Sequence, residues 1–187
     1  MKGCMSNLEI RRIRTTDAAV LGDFFEELAA DAETVRFFHP HPLTRANAAL
    51  LCGGAATRLD RYYVALYRGR AAAYALLRGW DDGYAVPSWG GCVHPDLRSA
   101  GLGHALLLHA VAESRAAGAA RLRLTVYKAN QRGVHLYSKF GFVFQDKDEK
   151  SVVGVLDLTA PLALPAREPD LIRLHSWYES RKARSVA

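Results

Sequence analysis

The sequence has few of the residues that mark a fold stabilised by covalent links or metal ions. Only three of its 187 residues are cysteines, Cys4, Cys52 and Cys92, and they form no C-x-x-C pair. No pair of cysteines precedes a pair of histidines as in a zinc finger. These absences argue against a disulfide framework and a metal site, and we expect neither. So few cysteines fit a reducing compartment, and we expect a cytoplasmic protein.

Long apolar runs are missing too. The N-terminal stretch MKGCMSNLEIRRIR lacks the continuous apolar core of a signal peptide. No apolar run reaches the roughly 20 residues that a membrane helix needs. We therefore expect no membrane partner, and the length and the half-hydrophobic composition suit one domain with a real core.

The chain carries a formal net charge of +6 at pH 7, which favours anionic partners. Its densest part is the C-terminal RLHSWYESRKARSVA. Because no helix-turn-helix, zinc-finger or RNA-binding sheet pattern accompanies this stretch, we do not expect a nucleic-acid partner. We divide the chain into a domain over residues 1–160 and a basic tail over residues 161–187. The tail is expected in solvent, on the domain or on a partner subunit, and a homodimer is left open.

The apolar pattern predicts a mixed α/β fold with one main sheet. Strands are predicted in LEIRRIR, WGGCVHP, RLRLTVY, FVFQ and SVVGVLDL, with a hairpin of RYYVALYRG and AAAYALLRGW. Helices are predicted in TTDAAVLGDFFEELAADA with Thr16 or Asp17 as its cap, in RANAALLCGGA up to Gly53, in the apolar run from Gly101 to Ala117 closed by Gly118, and in NQRGVHLYSKFG. The proline-broken FFHPHPLT and the stretch WDDGYAVPS are predicted to be loops.

The stretch VHPDLRSAGLGHALLLHAV carries an arginine and two glycines between a strand and a helix. The first N–H groups of a helix lack partners and favour anions, and glycines let phosphate oxygens approach the backbone. Arg98 adds a cation that can pair with phosphate. A P-loop would need a lysine after Gly103, and the dinucleotide fingerprint would need a glycine where Leu106 stands. A plain turn into a core helix is the other interpretation of this motif.

The residues that follow narrow these interpretations. R-x-x-G-x-G at a strand-to-helix turn, then a helix, a strand, Asn130 and LYSKFGF resemble the Gcn5-related N-acetyltransferases, the GNAT superfamily. The similarity extends from about Trp89 to Phe144, and LEIRRIRTTDAAVLGDFF resembles the first strand and helix of that family. The resemblance implies one mixed, splayed β-sheet with helices on both faces and acetyl-CoA in the cleft where the sheet opens.

The resemblance also implies a set of cofactor contacts. GGCV, with Cys92 and Val93, corresponds to the strand that pairs with the pantetheine arm, and Asn130 corresponds to a further contact. The backbone amides that would hold the pyrophosphate are those of Arg98, Ser99, Ala100, Gly101, Leu102, Gly103 and His104. Tyr137 corresponds to the tyrosine near the thioester sulfur, where a phenol can protonate the leaving thiolate. A strand N–H near Cys92 or Val93 would stabilise the oxyanion.

The base that would take a proton from the attacking amine is not given by the motif. Many relatives use a carboxylate on or near the strand read here as SWGGCVH, which has none. The candidates are Asp81 and Asp82 in the loop before that strand, and His39 and His41 in FFHPHP. A water chain, or an amine that arrives neutral, would remove the need for a base. No histidine is visibly paired with Cys92, so we do not expect an acyl-cysteine intermediate.

Together these features predict an acetyl-CoA-dependent N-acetyltransferase in which a primary amine attacks directly in a ternary complex. The expected acceptor is a small polar amine, with an amino sugar as one example. The alternatives are acetylation of a protein amine and a CoA-binding regulatory module without catalysis. RFFHPHPL and RGWDDGYAVPSW are expected to form the acceptor pocket.

Overall fold

The structure, a computed structural model, describes residues 7–161 and 167–184. Cys4 and part of the predicted tail lie outside these residues. The strands are β1 (Leu8–Arg12), β2 (Arg61–Tyr67), β3 (Arg70–Arg78), β4 (Ser88–Val93), β5 (Arg121–Tyr127), β6 (Val143–Asp146) and β7 (Ser151–Asp157). The helices are α1 (Ala18–Ala29), α2 (Ala32–Phe37), α3 (Arg45–Gly53), α4 (Leu102–Ala116), α5 (Gln131–Lys139) and α6 (Leu171–Arg184).

The seven strands form one mixed sheet in the order β1-β2-β3-β4-β5-β7-β6. All neighbouring strands run antiparallel except β4 and β5, which run parallel. Helices α1 and α3 pack together, and α1 contacts β3. Helix α4 contacts β3, β4 and β5 on the other face. The predicted mixed sheet with helices on both faces is confirmed.

Strands β2 and β3 are apolar apart from their terminal arginines, because both faces of the sheet are covered there. In β2, Tyr62, Val64 and Leu66 join the core under α1 and α3. The alternate residues Tyr63 and Ala65 join the core under α4. The two cores therefore lie on opposite faces of the same sheet.

The sheet opens between its two parallel strands. β4 and β5 pair only at Ser88 with Arg123 and at Trp89 with Leu124, near the start of each strand. Past Trp89 one edge of β4 stays paired with β3, and the edge toward β5 has no strand partner among the described residues. This opening is the splay that the resemblance implied, and it creates the cleft of the candidate site.

The structure changes two predictions near the N-terminus. The segment predicted as one helix ends at Ala29, and a second helix, α2, starts after Asp31 because the Asp31 carboxylate accepts the Thr34 N–H at 2.7 Å and caps it. Asp17 stands at the cap position of α1 without capping it. Its carboxylate instead accepts two hydrogen bonds from Arg11, at 2.6 and 2.9 Å.

Residues 171–184 of the predicted tail form α6, which lies against the domain. Leu174 and Trp177 are buried in the same core as α4. The predicted end of α4 is confirmed, since Gly118 follows the helix with a φ of 79° and donates its N–H to the Arg115 carbonyl. No helix among the described residues is long and apolar enough to cross a membrane.

Candidate active site

A cleft of about 780 Å³ lies where β4 and β5 separate. Ten of the residues predicted for the site line it: His39, Cys92, Val93, Arg98, Ser99, Gly101, Gly103, His104, Asn130 and Tyr137. Five do not line it: Ala100 and Leu102, which are buried in the turn and the core, and Asp81, Asp82 and His41. The cleft therefore brings together the turn of residues 96–103, which we call the phosphate turn, the open edge of β4 and Tyr137.

The turn before α4 has the geometry of an anion cradle. Ser99 and Gly101 both have positive φ angles, 66° and 85°, so the chain folds back sharply just before the helix begins at Leu102. Within the described chain, the N–H groups of Ser99, Gly101, Leu102 and Gly103 have no hydrogen-bond acceptor. Unpaired N–H groups at the start of a 15-residue helix, facing a cleft, suit an anion.

The Arg98 side chain, predicted to pair with phosphate, contacts carboxylates in the structure. Its guanidinium binds both carboxylate oxygens of Asp31 and donates to Thr34 Oγ1 at 3.0 Å. This pairing holds the pKa of Asp31 at about 2. Because Asp31 and Glu33 already neutralise its charge, the Arg98 side chain links α2 to the turn and is not a free cation for phosphate.

Glu33 adds a carboxylate to this end of the cleft. It lies 3.4 Å from Arg98 Nη1 and 2.7 Å from Arg132 Nη1 at the start of α5. Glu33 thus links the two sides of the cleft, and a bound phosphate must compete with it for Arg132.

The open edge of β4 forms the floor. Gly90 and Gly91 leave the backbone bare, and a Cβ at Gly91 would lie 2.9 Å from the Trp89 ring. A ligand arm can lie against this backbone as an added strand would, because its polar groups face no strand partner. Burial raises the pKa of the Cys92 thiol, which disfavours the thiolate that a nucleophile requires.

Tyr137 and Asn130 lie on the opposite wall, on and before α5. Asn130 caps this helix, since its Oδ1 accepts the Gly133 N–H at 3.0 Å. Its Nδ2 has no acceptor among the described residues, so it keeps a donor for a ligand. Burial raises the pKa of Tyr137. The nearby Trp89 indole lowers that pKa by a smaller amount, and it makes no hydrogen bond of good geometry with the hydroxyl. Tyr137 therefore keeps its proton at neutral pH, as an acid must.

The two aspartates proposed as bases lie away from this cleft. Asp81 Oδ1 accepts the N–H groups of Leu59 at 2.7 Å and Asp60 at 3.2 Å, so it organises its own loop. Asp82 is exposed in the same turn. The stretch WDDGYAV supplies no residue to the cleft lining.

The two histidines proposed as bases, His39 and His41, differ in their position relative to the cleft. His41 is held on both ring nitrogens, with Nε2 2.9 Å from the Tyr74 hydroxyl and Nδ1 2.8 Å from Asn47 Nδ2, and burial lowers its pKa. It does not line the cleft. His39 lines the cleft, is exposed, and places Nε2 2.8 Å from the Arg36 carbonyl. That contact requires an Nε2–H donor, which leaves the lone pair on Nδ1.

Several lining residues were not predicted from the sequence. They are Glu33, Thr125, Tyr127, Arg132, Lys147, Asp148 and Arg167. The alternation of RLRLTVY gives a signal for Thr125 and Tyr127, since both lie on the face opposite to Leu122, Leu124 and Val126. Lys147, Asp148 and Arg167 lie outside the helices and strands, and Glu33 and Arg132 lie on the first turns of the short helices α2 and α5, where the sequence pattern gives no signal for them. The part of the chain that the structure describes contains no group of metal-ligating residues.

Comparisons with known proteins agree with this geometry. The model of the acetyltransferase (GNAT) family matches residues 23–142. A comparison with curated proteins found no match. Among solved structures, an acetyltransferase of the GNAT family from Streptococcus pneumoniae superposes with a TM-score of 0.68 at 23% identity, covering 80% of this chain and 98% of its own.

Two further solved structures share the fold. A putative acetyltransferase from Salmonella typhimurium, solved with its cofactor acetyl-CoA, has a TM-score of 0.65 at 18% identity and covers 86% of this chain and 99% of its own. A spermidine N-acetyltransferase chimera from Vibrio cholerae and hSSAT has a TM-score of 0.65 at 16% identity and covers 82% of this chain and 97% of its own.

Proposed function

The chain belongs to the GNAT acetyltransferase family and is an N-acetyltransferase that uses acetyl-CoA, and on this premise we propose that its acceptor is a small primary amine. Acetyl-CoA supplies an activated acetyl thioester. The unpaired amides before α4 and the open edge of β4 suit its pyrophosphate and its pantetheine arm.

The observation that carries the proposal is the shape and lining of the cleft beyond the phosphate turn. Phe37 and His39 lie against Tyr127, with ring centroids 6.0 and 5.7 Å apart. These rings and Asp148, whose pKa is lowered by the Ser151 hydroxyl, border the same cleft. Aromatic faces and one carboxylate suit a compact ammonium group.

We assign the two proton transfers to Tyr137 and His39. Tyr137 holds a proton on its hydroxyl at neutral pH and is the proposed acid for the departing sulfur. His39 has a lone pair on Nδ1, because its Nε2–H is held by Arg36, and it is the proposed base for the amine. Cys92 is proposed to take no covalent part, so the amine attacks directly in a ternary complex.

The test is release of free CoA thiol on a panel of polyamines, amino sugars, amino-acid amides and peptides with free N-termini. We expect the highest kcat/KM with a small amine. A peptide preferred over every small amine by tenfold or more would favour acetylation of a protein. Tight CoA binding with no turnover on any amine would favour a regulatory module, the second candidate from the sequence.

The base assignment has its own test. We expect His39→Asn to lower kcat/KM about 10²-fold near neutral pH, with partial recovery at higher pH where more of the amine is neutral. His175→Asn, at an exposed histidine of α6, is the control and should act as wild type. Equal pH profiles for the two variants would remove His39 from the proposal.

A further inference from the structure

The segment that follows residue 166 is fastened to the phosphate turn. Three hydrogen bonds join them: Arg167 Nη2 to the Ser99 carbonyl at 2.7 Å, the Asp170 N–H to the Ala100 carbonyl at 2.8 Å, and Arg173 Nη2 to the Asp96 carbonyl at 2.7 Å. Leu174 and Trp177 fix the following helix in the core. The carbonyl side of the turn is thus held by this segment.

This attachment orients the amide side of the turn. In a trans peptide the C=O and the N–H point in opposite directions. Because the Ala100 carbonyl accepts from Asp170, the Gly101 N–H of the same peptide unit points away from the segment. Gly101 lines the cleft, so this N–H is available to an anion there.

Three described arginines line the cleft, and two of them are already engaged by carboxylates. Arg98 is paired with Asp31 and Glu33, and Arg132 is paired with Glu33. Arg167 also lines the cleft and pairs with no carboxylate of the described residues. Within the described chain Arg167 donates one hydrogen bond, from Nη2 to the neutral Ser99 carbonyl, which leaves further guanidinium donors available.

We propose that Arg167 is a phosphate-binding residue for the phosphates of acetyl-CoA. It lies outside residues 23–142 that match the family model, so the C-terminal segment completes a site that the family domain begins. A planar guanidinium held beside the turn can bind phosphate oxygens through two parallel hydrogen bonds. It supplies the free positive charge that Arg98, neutralised by α2, does not.

The test is the Kd of CoA, measured by calorimetry on the full chain. We expect Arg167→Gln to weaken binding about tenfold, as the loss of a charge-assisted hydrogen bond does. The matched control is Arg173→Gln, because Arg173 makes the same guanidinium-to-carbonyl contact with the turn, at the same 2.7 Å, and does not line the cleft. We expect its Kd to stay within twofold of wild type.

Measurements with CoA lacking the 3′-phosphate distinguish the phosphates. A loss of equal size for both ligands assigns Arg167 to the pyrophosphate, and a loss confined to intact CoA assigns it to the 3′-phosphate; both support the proposal. If Arg167→Gln binds CoA as wild type does, the proposal is wrong. Equal weakening in the Arg167→Gln and Arg173→Gln variants would also overturn it, because the effect would then come from fastening the turn.

Discussion

Replacing Gly101 by alanine tests whether the C-terminal segment lies on the phosphate turn. A Cβ at Gly101 would stand 2.9 Å from the Glu168 carbonyl oxygen and 3.1 Å from Pro169 Cα, both backbone atoms that cannot rotate away. The positive φ alone costs about 1 kcal/mol for alanine. Displacing the segment loses the Asp170 hydrogen bond to the turn and one from Arg167, about 2 kcal/mol more. We expect the free energy of unfolding to fall by about 3 kcal/mol.

Urea denaturation measures this loss, and Gly118→Ala is the control. Gly118 has a similar φ of 79°, and a Cβ there would meet nothing within 4 Å. The control should lose only about 1 kcal/mol. With a slope of about 2 kcal/mol per molar urea, the two midpoints should differ by about 1 M. Equal midpoints would refute the idea that the segment packs against the turn.

Four other substitutions test separate parts of the structure. Tyr137→Phe should lower kcat about 10²-fold with little change in the Kd of CoA, because it removes only a proton donor. Glu33→Gln should tighten CoA binding severalfold by releasing Arg132, and calorimetry at low salt would show no change if the pair is irrelevant. Trp177→Ala should cost about 3 kcal/mol of unfolding free energy in urea titration. Glu27 is partly buried, and hydrogen bonds from His94 and Arg70 outweigh this burial and lower its pKa to about 2. Stability should therefore decrease as pH falls from about 4.5 to about 2, and Glu27→Gln should flatten that part of the curve.

Most of the fold was predictable because its elements have strong periodic patterns. β5 alternates strictly, and α4 is a long apolar run that ends at a glycine. The motif from Arg98 to Gly103 predicted a turn followed by a helix, and α4 begins at Leu102. These features are local, so neighbouring residues in the chain define them.

The rest depends on contacts between distant residues. The sequence predicts Asp31 at the end of one helix. In the structure it caps the next helix and pairs with Arg98, which lies 67 positions away. Arg167 stands in a stretch without periodicity and reaches the cleft only because α6 docks on the core. Asp81 and His39 are equally plausible bases in the sequence, and only tertiary structure separates a loop-organising carboxylate from a cleft residue.

The opening between β4 and β5 has a consequence for solubility. A strand edge with unpaired N–H and C=O groups is a template for aggregation when it lies at the outside of a sheet. Here that edge lies inside the sheet and borders a cleft that β5 and α5 also line. The outer edges are protected differently: β6 has only four residues, and β1 carries Glu9 and two arginines. The unpaired edge of β4 therefore faces a ligand cleft and is not one of the two outer edges of the sheet.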